Sequence, residues 1–472
     1  MKSKLFIFIA SFALVFNSCT SDFQKLNTNP NNPQTAPLTN VLGYVIEDIA
    51  AKSGRTELAN PASFVGHITK GTYTDEANYR AKPNGDIWNG AYGTTLTNVN
   101  FIISKAKSDG NNNLLAAAMV LKAYSQQMVV DIYGKSPYTE AGQGANGIIH
   151  SKYDNEKDIY YDLLSSLEMA NNLFNAADGG IIGVGDLIYR GNIGQWKKFC
   201  NSLRLRLAIR ISNVDEAKAK AEIATVLNNP SQYPVFESNA DNALLTYPGG
   251  DWVEPWTSEH SSIGDDFMAK PIIDTLLSYG DPRIGYYAVP LSDGTYSGLE
   301  VGQDASIAYS RVNDQFVNNP TGKVFFLKYT EVELIKAESI FKGFLTGDAK
   351  TEYEKAITAS CKEYGIADGI ISTYLSGSKV AWQSDLKQIY VQKWIALFRQ
   401  SWEAWAEMRR TDVPKLGPSA LSASSGHNRT PFRFPYPDSE RKLNSTSIPS
   451  TVTETDYFWG YQIWWDTRTG VL

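Results

Sequence analysis

The sequence predicts a mainly α-helical protein, one helical body whose second half is long, irregular and rich in loops. In several long segments, apolar residues recur at intervals of three, four and seven residues, which is typical of helices with one buried face. Elsewhere this periodicity gives way to glycine, proline, aspartate and aromatic residues. The chain has 472 residues, 43% hydrophobic and 20% charged, which indicates a globular protein rather than a disordered one.

The predicted helices follow one another along most of the chain. The strongest apolar faces lie at 114–132, 196–211, 331–344, 352–364 and 386–410, and weaker ones at 38–52, 88–107, 158–174, 215–227 and 263–278. The longest segment carries Trp394, Trp402 and Trp405 on one face, so we expect these side chains to be packed inside. Ala337 and Phe341 have the A-x-x-x-F spacing of tetratricopeptide helix pairs, although this signal alone is weak.

Two irregular stretches interrupt the helical pattern, an insert at about 230–328 and the C-terminal segment 413–472. Long loops without secondary structure are uncommon inside compact domains and are often functional. Neither stretch has the composition of a free linker between domains. We therefore predict a single domain over 41–472 that contains both.

The N-terminus has the features of a bacterial lipoprotein signal. Two lysines precede an apolar run over 5–16, which is too short to span a bilayer but fits the core of a signal peptide. A serine stands directly before Cys19, as in a lipobox, where the cysteine is acylated and the chain is cut in front of it. We predict a signal peptide over 1–18, a lipid anchor at Cys19 and a tether over 19–40. Ordinary secretory cleavage nearby is the alternative.

Charge and motifs exclude several function classes. The net charge is −6, so the chain lacks the basic excess of a nucleic-acid-binding protein. Its four histidines are far apart and form no H-E-x-x-H pair, which argues against zinc chemistry. The glycines of 142–147 match G-x-G-x-x-G but follow a proline turn instead of a strand, so they do not indicate a dinucleotide site. We expect no cofactor, no metal and no catalytic residue.

Two arrangements of carboxylates leave a glycoside hydrolase open as an alternative. Glycosidases need two carboxylates about 5 to 10 Å apart across a cleft, and such pairs can come from distant positions. Glu403 and Glu407 share a predicted helix face, and Asp265 and Asp266 are adjacent. A solvated helix face or an ion pair explains such carboxylates more often.

Arginines at 204, 206 and 210 lie on one predicted helix. Such a cluster can bind an anion, but arginines more often bury their aliphatic stems and pair with glutamates of a neighbouring helix. We expect the second arrangement, with Glu331 or Glu338 as the partner.

Eight short motifs occur in order along nearly the whole chain. They are DFQKLNTNPN from Asp22, DIYGKSPY from Asp131, WKKFCNSLRLRLAIR from Trp196, DPR from Asp281, KYTEVELIKAESIFKG from Lys328, QKWIALFRQSWEAWAEMRRTDVP from Gln392, FRFPYPDSE from Phe432 and WWD from Trp464. Together they resemble the SusD/RagB family of outer-membrane nutrient-binding lipoproteins of Bacteroidetes.

The resemblance implies a tetratricopeptide-like scaffold of helix pairs and a lipid anchor that holds the protein at the cell surface of the outer membrane. It also implies a SusC-like TonB-dependent transporter as partner, over which the lipoprotein closes as a lid. The family binds an oligosaccharide or a peptide and hands it over without chemical change. The resemblance therefore implies no enzyme activity, in agreement with the motif search.

A neutral sugar binds to flat aromatic faces flanked by hydrogen-bonding side chains. Two loop stretches have this composition. The first supplies Tyr73, Asp75, Asn78, Tyr79 and Arg80, and the second supplies Trp252, Trp256 and Tyr296. We predict that these eight residues bind the ligand, with their aromatic rings on one concave surface that faces the transporter.

Three function classes remain at this point. We expect a surface lipoprotein that captures a nutrient, an oligosaccharide before a peptide, and delivers it to the transporter. The alternatives are a glycoside hydrolase with an unrecognised carboxylate pair and an assembly protein without a small ligand, whose aromatic residues serve a protein interface.

The lipid anchor gives the first testable prediction. The substitution Cys19→Ala removes the thiol that would carry the acyl group, and the remaining chain has no other membrane signal in its sequence. We expect the variant to leave the outer-membrane fraction, measured by fractionation and immunoblotting. The matched control Cys361→Ala, in a predicted helix, should stay with the membrane. A Cys19→Ala protein retained in membranes at the wild-type level contradicts the anchor.

Overall fold

The computed structural model describes residues 36–471 except 59, 81–84, 179–181, 423, 425 and 451–457. The predicted signal peptide, the anchor Cys19 and most of the tether lie outside these residues. The first described helix begins at Leu38, so it includes the last positions of the predicted tether. Within the described residues, no helix combines the length and the apolar character needed to cross a membrane.

Successive helices form the first half of the molecule. They are α1 (Leu38–Glu57), α2 (Pro61–Phe64), α3 (Asp86–Asn89), α4 (Thr97–Ser108), α5 (Asn112–Tyr133), α6 (Glu156–Leu173), α7 (Ile193–Arg210) and α8 (Glu216–Leu227). From α4 to α8, each helix packs against the next. The side chain of Asn111 accepts a hydrogen bond from the Leu114 N–H and starts α5, and Asn192 starts α7 in the same way.

The second half is less regular. Its helices are α9 (Pro255–Ile263), α10 (Lys270–Tyr279), α11 (Ile284–Tyr287), α12 (Asp314–Val317), α13 (Tyr329–Phe341), α14 (Ala349–Lys362), α15 (Asp368–Leu375), α16 (Leu386–Ala396), α17 (Ser401–Thr411) and α18 (Asp438–Leu443). Helix α13 packs against α14, α16 and α7. The prediction of a mainly helical chain with an irregular second half is confirmed.

Short strands join distant loops in antiparallel pairs. They are β1 (Ile68–Lys70), β2 (Ser136–Pro137), β3 (Tyr153–Asp154), β4 (Ala243–Thr246), β5 (Asp266–Met268) and β6 (Lys323–Leu327). β1 pairs with β5, β2 with β3 and β4 with β6. In the first pair, Ile68 lies opposite Met268 and Lys70 opposite Asp266. The loop that follows β1 is therefore held beside the residues that precede β5.

Three predicted helices differ from the structure. The segment 386–410 is two helices, because the chain turns between α16 and α17 at Arg399, whose φ is +70°. The segment 88–107 contains a π-helix, Gly90–Leu96, between α3 and α4. The segment 263–278 starts at the last residue of α9, continues through Gly264 and β5, and becomes helical again from Lys270, in α10.

The predicted packing of the tryptophans is confirmed. Trp394, Trp402 and Trp405 are all buried, although the turn at Arg399 separates the first from the other two. The guanidinium carbon of Arg409 lies 3.7 Å from the centroid of the Trp405 ring. Cation–π contact of this kind lets a charged side chain enter the core alongside aromatic rings.

A buried ion-pair cluster joins the two halves of the molecule. Its members are Arg206, Arg210, Glu331, Glu338, Lys393, Glu403, Glu407 and Arg410, all of them buried. Arg206 pairs with Glu331 at 2.6 Å, which confirms one of the two predicted partners. Arg210 on the same helix reaches Glu403 and Glu407 of α17.

The second half contributes the rest of the cluster. Arg410 binds both carboxylate oxygens of Glu338 at 2.7 Å, and Lys393 lies 2.9 Å from Glu407. Burial alone would raise the pKa of Glu338, but Arg410 beside it holds that pKa below its usual range. Removing charges from water costs several kcal/mol per ion, so each group depends on its partner being in place.

The ion-pair cluster predicts a large difference between two similar substitutions. Glu338→Gln leaves the buried Arg410 without its bidentate partner, so we expect a loss of about 3–5 kcal/mol in the free energy of unfolding. Its control is Glu354→Gln, since Glu354 lies on the surface 3.8 Å from Lys350 one helical turn away, and such pairs contribute roughly 0.2–0.5 kcal/mol. Urea denaturation measures both. Equal losses for the two variants would contradict the role of the cluster.

Candidate functional site

One carboxylate holds the loop after β1, residues 71–80, in place. Asp265 Oδ2 accepts hydrogen bonds from the backbone N–H groups of Gly71, Thr72 and Tyr73 at 3.1, 2.7 and 3.0 Å. Asp265 is itself buried and directly precedes β5. Because hydrogen bonds to a charged acceptor are stronger than neutral ones, the loop leaves the β1–β5 pair in a fixed direction.

Three predicted site residues in this loop are exposed. Tyr73 has 60% of its surface accessible, and Asp75 and Arg80 also face solvent. A guanidinium N–H of Arg80 donates to the carbonyl of Leu421 at 2.5 Å, which ties the loop to the C-terminal segment. The loop therefore presents an aromatic ring and two charged groups on an anchored backbone.

Asn78 and Tyr79 hold the loop from inside. Asn78 is 1% exposed, and its Nδ2 donates to the carbonyl of Gly302 at 2.8 Å. Tyr79 has a φ of +56° and stacks on Phe64 with 5.0 Å between ring centroids. The predicted ligand contact of Asn78 is therefore corrected, because its amide is enclosed between two loops. Tyr79 packs against the core with only part of its ring accessible.

A cleft of about 450 Å³ opens beside the loop. It is lined by His260, Gly264, Val289, Pro290, Tyr309, Arg311, Val312 and Asp314. Gly264 directly precedes Asp265, so the cleft adjoins the carboxylate that holds Tyr73. On the other side, the Ala305 N–H donates to the carbonyl of Gly71 at 2.8 Å, which joins the loop to the chain that leads to Tyr309.

Tyr309 and Arg311 supply an aromatic ring and a guanidinium group at the cleft. They flank Ser310, which joins β5 through a backbone hydrogen bond of 2.9 Å, and side chains two apart in an extended segment share a face. The Arg311 guanidinium lies 4.3 Å from the centroid of Phe267 and donates to the Gly264 carbonyl at 2.7 Å. These contacts orient the guanidinium, which has five N–H donors in all.

Asp266 orients the histidine of the cleft. Its carboxylate is fully buried and lies 2.7 Å from His260 Nδ1 and 2.5 Å from Lys70 Nζ. The imidazole is therefore held with one nitrogen on the carboxylate, which leaves the other edge of the ring toward the cleft. The Asp266 carboxylate therefore binds two side chains of the protein itself, His260 and Lys70.

Tyr296 lies along the same wall as Tyr309. The Ser310 N–H donates to the carbonyl of Ser297 at 2.8 Å, and the Ser297 N–H donates to Ser310 Oγ at 3.1 Å. This pairing brings Tyr296 alongside the Tyr309–Arg311 segment, with its ring partly buried. Tyr73 and Tyr296 are each connected to residues around β5, the first through Asp265 and the second through Ser297 and Ser310. Their contact with a ligand stays a prediction.

The two predicted tryptophans do not join this region. Trp256 is fully buried, and its indole N–H donates to Glu57 at 3.2 Å. Its prediction as a ligand contact is wrong, because the residue lies in the first turn of α9 and is packed in the core. Trp252 is 53% exposed but lines a second cleft at the other end of α9. The single concave surface predicted for all five aromatic residues is therefore not formed.

The sequence interpretation missed three residues of the cleft, His260, Tyr309 and Arg311. Two of them could have been found from the sequence. In the run Tyr309-Ser310-Arg311, an aromatic and a charged residue are two positions apart, so they would share one face of an extended segment. His260 carried no such signal, because its place at the cleft depends on the distant contact between Asp266 and β1.

The carboxylates considered for a glycosidase all have partners within the protein. Glu403 and Glu407 belong to the buried ion-pair cluster, Asp265 binds the loop, and Asp266 binds His260 and Lys70. Within the described residues, no group of three or more histidine, cysteine, aspartate or glutamate side chains is arranged to hold a metal ion. The cleft is built instead for contacts with aromatic rings and hydrogen bonds.

The anchoring of the loop gives a local stability prediction. Asp265→Ala leaves three backbone N–H groups without their acceptor, so we expect faster hydrogen exchange at residues 71–73 than in the wild type. Hydrogen bonds to charged groups contribute about 1.5–3 kcal/mol each, which corresponds to at least a tenfold change in exchange. The control is Asp293→Ala, whose carboxylate accepts from Thr295 in an exposed turn. Unchanged exchange at 71–73 would show that Asp265 does not hold the loop.

Comparisons with known proteins agree with the fold. The model of the SusD-like family, described as starch-binding and associating with the outer membrane, matches residues 30–437. Among solved structures, a chitin-binding protein has a TM-score of 0.82 and 28% sequence identity, covering 92% of this chain and 100% of that one. A chitin-binding SusD homologue from Flavobacterium johnsoniae has a TM-score of 0.79 and 23% identity, covering 91% and 98%. A comparison with curated proteins finds no match.

A further solved structure extends the agreement. A SusD homologue from Bacteroides fragilis has a TM-score of 0.74 and 25% identity, covering 87% of this chain and 95% of that one. The family match spans most of the chain, from the middle of the predicted tether to the residue before α18. The chain therefore belongs to the SusD-like family, whose members associate with the outer membrane.

Proposed function

We propose that this protein is a cell-surface lipoprotein that binds an oligosaccharide at the cleft beside Tyr73 and delivers it to a SusC-like TonB-dependent transporter. The observation that carries the proposal is the cleft itself, which Tyr309 and Arg311 line and whose Gly264 directly precedes Asp265, the carboxylate that holds the backbone of the exposed Tyr73. The family description as starch-binding supports the same class of ligand.

The chemistry of the cleft suits a neutral sugar. A pyranose ring offers an apolar C–H face and a rim of hydroxyl groups, so it needs a flat apolar partner and directional hydrogen bonds. Tyr309 and Tyr73 supply aromatic faces, while Arg311, His260 and Asp314 supply donors and acceptors. The mixed charges also favour a neutral ligand over a strongly anionic one, since Asp314 would repel the latter.

Chitin fragments are the first ligand to test. The solved structure at 28% identity is that of a chitin-binding protein, and the acetamido group of such a sugar adds a carbonyl acceptor that matches the N–H groups of Arg311. Starch fragments are the second, from the family description. A peptide array completes the comparison because the resemblance in the sequence also allowed a peptide.

Surface attachment and handover complete the proposal. The lipobox at Cys19 would hold the chain at the membrane, and the residues between Cys19 and α1 would link the folded domain to this anchor beside the transporter. Handover requires release, so an affinity in the micromolar to millimolar range, about −8 to −4 kcal/mol, suits the role. We expect binding without turnover: oligosaccharides incubated with the protein should yield no new reducing ends.

The cleft predicts a loss of affinity without a loss of stability. Tyr73→Ala removes a largely exposed ring, and an aromatic contact contributes about 1 kcal/mol, so we expect roughly five-fold weaker binding of the best array ligand by calorimetry. The melting temperature should stay near that of the wild type. Phe101→Ala is the matched control, since Phe101 is 50% exposed on α4 and should leave the affinity unchanged.

Two outcomes would count against this function. If the wild-type chain binds no sugar or peptide on the arrays, the protein is better explained as an assembly protein. If reducing ends accumulate and a single Asp or Glu substitution abolishes them, the glycoside hydrolase alternative is correct.

A further inference from the structure

We propose that the exposed Trp252 marks a second carbohydrate-binding site, separate from the cleft beside Tyr73. Trp252 lines a cleft of about 340 Å³, within the range of roughly 300–1,000 Å³ typical of small-molecule sites. The proposal rests on the proposed function for its class of ligand, but its residues and position are different.

Trp252 is held outward by a tight turn. The backbone N–H groups of Gly249 and Trp252 each donate to the carbonyl of the other at 3.2 Å, and Gly249 and Gly250 both have positive φ. All eleven tryptophans lie in the described part of the chain, and Trp252 is the one that is exposed. Because the turn already fixes the backbone, stacking of this exposed ring on a ligand would cost less conformational entropy than on a mobile loop.

Tyr247 provides a polar group at the same cleft. Its side chain is 3% exposed, and its hydroxyl oxygen has no hydrogen-bond partner among the described residues. A buried hydroxyl without a hydrogen-bond partner costs about 1–3 kcal/mol, so a partner at this atom would be stabilising. A sugar hydroxyl in the cleft would satisfy it.

The loop that contains Asp186 and Arg190 also lines this cleft, and hydrogen bonds hold it in place. Asp186 accepts hydrogen bonds from the N–H groups of Ile188, Tyr189 and Gly191 and from the indole of Trp196, at 2.7–3.0 Å. This loop carries Arg190, a residue with a φ of +53°, which is an unfavourable conformation outside glycine. Strained residues persist where the surrounding structure holds them, and they concentrate at functional sites.

The composition of the cleft selects a neutral sugar. Val184 and Leu187 join Trp252 as apolar surface, and Val184 is 93% exposed. Arg190 and Thr246 add hydrogen-bonding groups to the lining of the cleft. The Asp186 carboxylate already accepts four hydrogen bonds from the protein itself. A pyranose would stack on the indole and direct its hydroxyl groups to Tyr247, Thr246 and Arg190.

The two clefts lie at opposite ends of α9. Trp252 precedes this helix and Gly264 follows it, and nine residues span about 13 Å at 1.5 Å per residue. The sites are therefore distinct, and substitutions at one leave the other in place.

The test observes Trp252 directly by fluorine NMR. The full mature chain is labelled with 5-fluorotryptophan and titrated with a chitin-derived oligosaccharide or with the ligand that binds best on the array. Trp252→Phe identifies the resonance. We expect this resonance to shift during titration of the wild type and of Tyr73→Ala alike, because the first site is elsewhere. The other ten tryptophan resonances serve as internal controls.

A second variant separates a binding role from a structural one. Tyr247→Phe removes only the unsatisfied hydroxyl, so the melting temperature should stay equal to the wild type or rise, while the ligand concentration needed to shift Trp252 rises several-fold. If the wild type binds sugar but the Trp252 resonance does not move, the second site is wrong and the proposed function stands. If the wild type binds no sugar at all, both are wrong.

Discussion

The buried pairing of arginine and glutamate between α7, α13 and α17 is the interaction on which the rest of the structure depends. Arg206 and Arg210 lie on a helix of the regular half, and their partners lie on helices of the irregular half. Charges removed from water must be matched within hydrogen-bond distance, so these helices have one relative position. An apolar interface would tolerate small shifts, whereas a bidentate ion pair fixes direction as well as distance.

The turn between α16 and α17 connects the buried ion-pair cluster to α9, the helix that lies between the two clefts. Between α16 and α17 the chain bends at Arg399, whose guanidinium pairs with the buried Glu254 and lies 4.6 Å from the ring of Trp256. The other carboxylate oxygen of Glu254 accepts from the Thr257 N–H and caps α9. The two clefts lie at the two ends of that helix. The core thus positions the loops, and the loops carry the side chains suited to a ligand, as is usual for binding sites.

The sequence predicted the long helices well because their signals are local. Helix α5 was expected at 114–132 and covers Asn112–Tyr133, since its apolar face is continuous and Gly134 ends it. The turn at Arg399 was not predictable, because the apolar spacing continues across it and the partner of Arg399, Glu254, is distant in sequence. Tyr73 and Trp256 were predicted as ligand contacts from the same kind of loop composition, yet Tyr73 is exposed and Trp256 is buried by tertiary packing. The position of His260 at the cleft depends on its contact with Asp266, which in turn pairs with Lys70 of β1, a residue distant in sequence.

The most direct test of the account is a crystal structure of the protein with the oligosaccharide that binds best in solution. The account predicts a pyranose ring in contact with the aromatic rings of Tyr309 and Tyr73, with hydrogen bonds to Arg311 at its edge, on a protein backbone that is unchanged around Asp265. A sugar bound elsewhere with this cleft empty, in crystals of a protein that binds it in solution, would contradict the central claim.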